Sequence, residues 1–180
     1  DTPMDEAWPA SFKGDPVFYH TGLGPKLYGI RDGEIYEVDA VQYEPTGGYL
    51  SGNIIRQFRP GDGYYDINIE TGEEIFLAAP QLENSKATIM LPNCIVETTL
   101  GSTAHPADTP HSLAIFDGEL WRMVTLPEEL QHSKSIRTFV LRAVASDRLL
   151  FYYYGENGEC FYQVRLDAES LTAEKFGIVE

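Results

Sequence analysis

The sequence predicts a mostly β fold of repeated antiparallel hairpins, arranged as propeller-like blades or, alternatively, as a β-sandwich or barrel. Three observations carry this reading. Aromatics reach 12%, with eleven Tyr and nine Phe, and such side chains suit a pleated, half-buried surface. Apolar and polar residues alternate over short runs. Turn signals rich in Gly, Pro, Asp and Asn separate those runs. Hydrophobic residues make up 43% of the 180, enough to build a packed core rather than a disordered chain.

Residues 1–26 hold several Gly and Pro signals before any regular pattern, and read as an extended arm with one short strand at 17–20. Leu27 to Ile30, the Asp32-Gly33 step and Glu34 to Val41 then form a hairpin signal. Asp and Gly tolerate the positive φ that a tight hairpin turn needs. A loop at 43–48 precedes a strand at 53–58, a turn at 59–63, an alternating strand at 64–69 and a further strand at 73–78. Residues 88–91 and 94–100 read as strands. Gly101 to Pro110 is the most loop-like stretch and divides the chain. The second half repeats the first. Asp32-Gly-Glu-Ile-Tyr36 matches Asp117-Gly-Glu-Leu-Trp121 in residue type, and the hairpin over 160–176 matches that over 65–76. The offsets between the halves are about 85 and about 97 residues. Pro127 suits a first helical turn, so one or two turns of helix are expected over 127–133. The domain reading is therefore an arm (1–26), a first repeat half (27–100), a loop (101–112) and a second repeat half (113–180), in one compact domain overall.

The segments LYGIRDGEIYEVD and RLLFYYYGENGECFYQVRLDAESLT resemble the blade repeats of TolB-like and related bacterial extracytoplasmic β-propellers. There a strand ends at a Gly-containing turn, an aromatic pair opens the next, and an acidic turn leads to the outer strand. The resemblance implies a propeller scaffold outside the cytoplasm and carries over no functional residue. Four blades fit this length only if all are small, and two are legible in the sequence.

The formal net charge is −15, from 28 acidic and 13 basic residues. A nucleic-acid binder needs a basic footprint to displace counterions, so nucleic acid and anionic membrane surfaces are excluded as main partners. No apolar run approaches the roughly 18 residues of a membrane span, and no membrane insertion is expected. The chain opens on a polar, Pro-containing stretch without an initiator Met. This suggests a trimmed N-terminus and an extracytoplasmic setting, as a secreted protein, a lipoprotein or an ectodomain.

Chemistry-bearing motifs are sparse. His105, Asp108 and His111 lie in one loop and have the chemistry to ligate a divalent metal, but their spacing matches no metal motif and the plainer reading is a polar connector. Cys94 and Cys160 could form one disulfide or remain two buried thiols. No GxSxG elbow is present, and no motif names a cofactor, so none is expected. With 28 acidic residues, some carboxylate pair will meet by chance, which keeps a glycan-directed hydrolase as an alternative. Tyr152, Tyr153 and Tyr154 are consecutive on a strand and must point to both faces. They are the candidate binding residues for a protein or carbohydrate ligand. The sequence thus points to a non-enzymatic binding or sensor module rather than an enzyme. A self-assembling structural subunit, and hence a homo-oligomer, is the third reading.

Overall fold

The computed structural model describes residues 10–20, 26–38, 49–83, 85, 87–91, 94–100, 109–132, 138–145, 147–155 and 158–178. They form four separate four-stranded antiparallel sheets. The first comprises β1 (Ala10–Phe12), β2 (Asp15–His20), β3 (Lys26–Arg31) and β4 (Glu34–Glu37). The second comprises β5 (Tyr49–Ser51), β6 (Ile54–Arg59), β7 (Gly63–Asn68) and β8 (Glu74–Ala78). The third comprises β9 (Ala87–Leu91), β10 (Cys94–Thr98), β11 (Leu113–Phe116) and β12 (Trp121–Met123). The fourth comprises β13 (Thr138–Ala145), β14 (Arg148–Gly155), β15 (Gly158–Arg165) and β16 (Ala173–Ile178). Each is a meander in chain order, the form of a propeller blade. A short helix, α1 (Glu128–Gln131), follows Pro127.

The chain divides into two compact units, Asp1–Ala79 and Pro80–Glu180, each holding two sheets. The expected boundary at 101–112 has a different role. Thr98 pairs with Leu113, so that stretch joins neighbouring strands of one sheet. Its loop-like composition marks a long hairpin connection. The expected arm also differs, since β1 and β2 within it are the first two strands of the first sheet. The four legible hairpins prove to be the third and fourth strands of all four sheets.

Turn chemistry explains the hairpins. Asp32 (φ 51°) and Gly33 (φ 83°) form a two-residue connection between Arg31 and Glu34, as an Asp-Gly pair permits. The matching Asp117-Gly118 pair lies instead in a four-residue connection between Phe116 and Trp121. There the Asp117 carboxylate accepts the backbone N–H groups of Glu119 (3.1 Å) and Leu120 (3.0 Å). Burial pushes this carboxyl up, but those bonds outweigh it and hold it below the usual range.

The first unit packs Val17, Leu27, Val38, Ile55 and Ile69 together, with Phe12 and Tyr36 against them. The Tyr36 ring lies over Gly29 on the neighbouring strand, where a Cβ would collide with it. The core of the second unit joins its two sheets and α1, through Val96, Ile115, Leu130, Phe151, Tyr162 and Val164 among others. Phe151 and Tyr162 stack at 5.3 Å and 12°, and the Tyr162 hydroxyl donates to Glu129 at 3.2 Å. Cys94 and Cys160 are both buried in this core, and the disulfide that the sequence allowed is not formed. A buried thiol serves there as a small apolar filler.

Polar ties complete the second unit. Arg122 donates to the carbonyls of Leu166 (3.0 Å), Glu169 (2.9 Å) and Ala168, clamping the turn before β16. Thr125 forms a parallel bridge to Thr172. Glu97, 0% exposed on the interior strand β10, accepts the N–H groups of Gln81 (2.9 Å) and Leu82 (2.6 Å). Glu97→Ala is expected to lower stability by about 1–3 kcal/mol, because a buried tie to two backbone donors is lost. Urea unfolding checks this against Glu119→Ala, an exposed carboxylate expected to change stability by less than about 0.5 kcal/mol.

Candidate functional site

The structure treats the expected binding residues unequally. Tyr152 on β14 faces Phe161 on β15, and the two half-buried rings lie 5.2 Å apart at 51°. Leu150 and Gln163, also paired across these strands and half-buried, share that face. The result is a mixed aromatic and polar patch on the fourth sheet. Tyr153 and Tyr154 lie on β14 opposite Cys160 and Glu159, but their side chains fall outside the described residues.

The metal-ligand reading falls mostly on residues that are not described, His105 and Asp108. His111 is described and buried. Its Nδ1 lies 3.3 Å from the Thr99 hydroxyl, and its backbone N–H donates to Gln131 at 2.8 Å. The Thr99 oxygen also accepts the Ser112 N–H (2.9 Å), and the Thr98 hydroxyl donates to the Ser112 carbonyl (2.9 Å). This hydroxyl–imidazole network fixes the ends of β10 and β11. Among the described residues, no group of three His, Cys, Asp or Glu is placed to hold a metal ion.

A second cluster, not singled out by sequence, lies on the second sheet. Register places Arg59 opposite Gly63, Gln57 opposite Tyr65, and Tyr65 opposite Phe76. The Arg59 guanidinium sits 4.5 Å over the Tyr65 ring and grips Glu74 through two bonds of 2.6 and 2.9 Å. Tyr65 donates its hydroxyl to Asp62 at 2.7 Å, and its ring meets Phe76 edge-on at 5.3 Å. Phe76 in turn lies over Gly63, where a Cβ would strike the ring and the Ala78 carbonyl. Beside Tyr65 on the same face, the Gln57 side-chain oxygen is buried with no hydrogen-bond partner among the described residues. The first sheet carries a related trio. Arg31 lies 5.0 Å over Tyr36, and both donate to the Asp15 carboxylate at 2.8 Å. Only cross-strand register assembles these groups. The one sequence signal was the good alternation of 64–69, which puts Tyr65 on the face of Ile67.

The electrostatics follow from the bonds. The hydrogen bonds from Arg59 hold Glu74 below the usual carboxylate range, and those bonds raise Arg59. The hydrogen bond to Asp62, followed by burial, raises the Tyr65 phenol. Asp15 is lowered by its bonds to Arg31 and then Tyr36.

No family model matches this chain, and no curated protein matches it. Among solved structures it is similar to the N-terminal domain of Nup159, with a TM-score of 0.47 and 11% identity, over 89% of this chain and 47% of that one. It is also similar to the computationally designed Ika8 protein, with a TM-score of 0.49 and 13% identity, over 97% of this chain and 61% of that one. The designed Ika4 protein aligns with a TM-score of 0.39 and 14% identity, over 98% and 94%. The chain thus spans about half the length of the Nup159 domain.

A carboxyl lowered in the folded state adds stability that is present above its unfolded pKa and fades as pH falls through the folded one. Asp15 and Glu74 should therefore weaken the fold only as pH drops below their ordinary 3.8 and 4.5. In acid titrations followed by circular dichroism, Glu74→Gln is expected to flatten that limb of the stability curve and leave the fold intact at neutral pH.

Proposed function

We propose that the chain is a non-enzymatic binding or sensor module, acting outside the cytoplasm in the manner of TolB-like propeller repeats. The observation that carries this reading is the Arg59–Tyr65–Phe76 cluster. A guanidinium, a phenol and a phenyl ring are held in contact across the last three strands of one sheet. Rigid aromatic side chains beside a cation offer large contact area at little entropic loss, which suits recognition of a protein or carbohydrate. The Tyr152–Phe161 pair is a second platform of the same kind.

The test is nuclear magnetic resonance of labelled protein against soluble oligosaccharides and peptides, with product analysis of every mixture. Shift changes centred on Tyr65 and Phe76 or on Tyr152 and Phe161 are expected. Tyr65→Ser or Tyr152→Ser should weaken the matching interaction by roughly tenfold, about 1.4 kcal/mol. Turnover of any oligosaccharide or peptide would overturn this reading in favour of the hydrolase.

A further inference from the structure

The geometry points to the outer edge of β8 as a strand-addition site for an extended basic peptide, one in which Lys or Arg alternates with apolar residues. This rests on the binding-module reading and gives that module a partner class and a mode of contact.

Four observations converge on β8. It is the terminal strand of its sheet and, among the described residues, pairs only with β7. The Asn68 N–H donates to the Glu73 carbonyl at 2.9 Å. The alternation of an antiparallel ladder then turns the backbone groups of Ile75 toward β7 and those of Glu74 and Phe76 outward. Two N–H and C=O pairs are thus presented to an incoming strand.

Side chains make this edge unusual. Ile75 is 55% and Phe76 53% exposed. As adjacent strand residues they point to opposite faces, so an added strand would find an apolar contact on each side. An open edge with large apolar side chains is a liability that proteins ordinarily blunt with lysines, proline or a cover. β8 has neither Lys nor Pro.

Charge selects the occupant. The segment from Pro60 to Ser85 carries Asp62, Asp66, Glu70, Glu73, Glu74 and Glu83, and contains no Lys, Arg or His. The cations across the sheet, Arg56 and Arg59, are engaged by Asp66 (2.8 Å) and Glu74 (2.6 Å). A basic strand is therefore attracted. A second copy of this chain, itself at −15, is repelled. The other fourth strands fit less well. β12 has three residues, β16 carries Lys175 beside Phe176, and β4 is one residue shorter than β8 and exposes one large apolar side chain, Ile35, where β8 exposes two.

The test titrates the intact chain into a fluorescent, end-blocked peptide of about ten residues, alternating Lys and Val, at near-physiological salt. A twin peptide carries N-methyl groups on alternate amides. It keeps every charge but loses one hydrogen-bonding edge. Fluorescence anisotropy is expected to show binding of the first peptide and roughly tenfold weaker binding of the twin. Phe76→Ser and Ile75→Ser should each weaken the first peptide similarly, and Leu120→Ser, at an exposed apolar position in the β11–β12 connection of the third sheet, should leave it unchanged. Because Phe76 also covers Gly63, its variant is first checked for a native urea midpoint. The twin peptide needs no variant.

Equal binding of both peptides would overturn the proposal in favour of charge alone. Loss on Tyr152→Ser but not on the β8 variants would also overturn it, and the binding-module reading would survive with its site on the fourth sheet. No peptide binding, with a dimer by light scattering that Phe76→Ser dissolves, would make a second copy the occupant. No peptide binding by a monomer would close the edge to peptides, and the oligosaccharide and peptide screen would then judge the broader reading by itself.

Discussion

The structure depends on small sheets burying one face against a neighbour. A four-stranded meander presents too little apolar surface to stand alone in water. In the second unit this is met by one core that draws on both sheets and α1. Strand alternation then decides what remains outside. Along β14, Leu149 and Phe151 enter the core, while Leu150 and Tyr152 do not. The aromatic patch on the fourth sheet is thus a by-product of the periodicity that fills the core. The polar ties act in the same direction. Arg122 and the Thr125–Thr172 bridge join the third sheet to the turn and strand that close the fourth.

The first unit meets the same constraint with a smaller core and more electrostatics. Two of its sheets repeat one device, an arginine laid over a tyrosine and bonded to a carboxylate. Arg31, Tyr36 and Asp15 form one example, and Arg59, Tyr65 and Glu74 the other. Such contacts add individually little at the surface, of order 0.5–1 kcal/mol each. Their effect is to fix orientation. A tyrosine held by its ring and its hydroxyl is already arranged for contact, so little entropy remains to be lost when something binds.

Much of this fold was legible in the sequence because turn residues and alternation are local signals. Asp32-Gly33 defines its connection through backbone conformation alone, and Tyr65, Ile67 and Ile69 declare a face. The outer hairpins of all four sheets were read for these reasons. β1 and β5 were not read as strands, because three residues between Gly and Pro signals leave no period to detect. The stretch 101–112 carried the composition of a linker although it spans neighbouring strands, since composition reports exposure and not connectivity. The Arg59 cluster was hidden for a related reason. Its members come from three strands and one turn, and only register brings them together.

Every described pairing between strands joins consecutive segments of the chain. Each sheet can therefore assemble by closing short loops, and the entropy lost in doing so grows only slowly with their length. The longest closure within a sheet is that between β10 and β11. The order of events follows from this. Hairpins with tight turns, such as β3–β4, are set to form early, and the third sheet waits on its long connection. Folding speed in this chain is then governed less by the size of the core than by the fourteen residues between Thr98 and Leu113, and because Thr99, Leu100 and His111 at its ends are buried, a change of length between those anchors is the natural way to tune the kinetics.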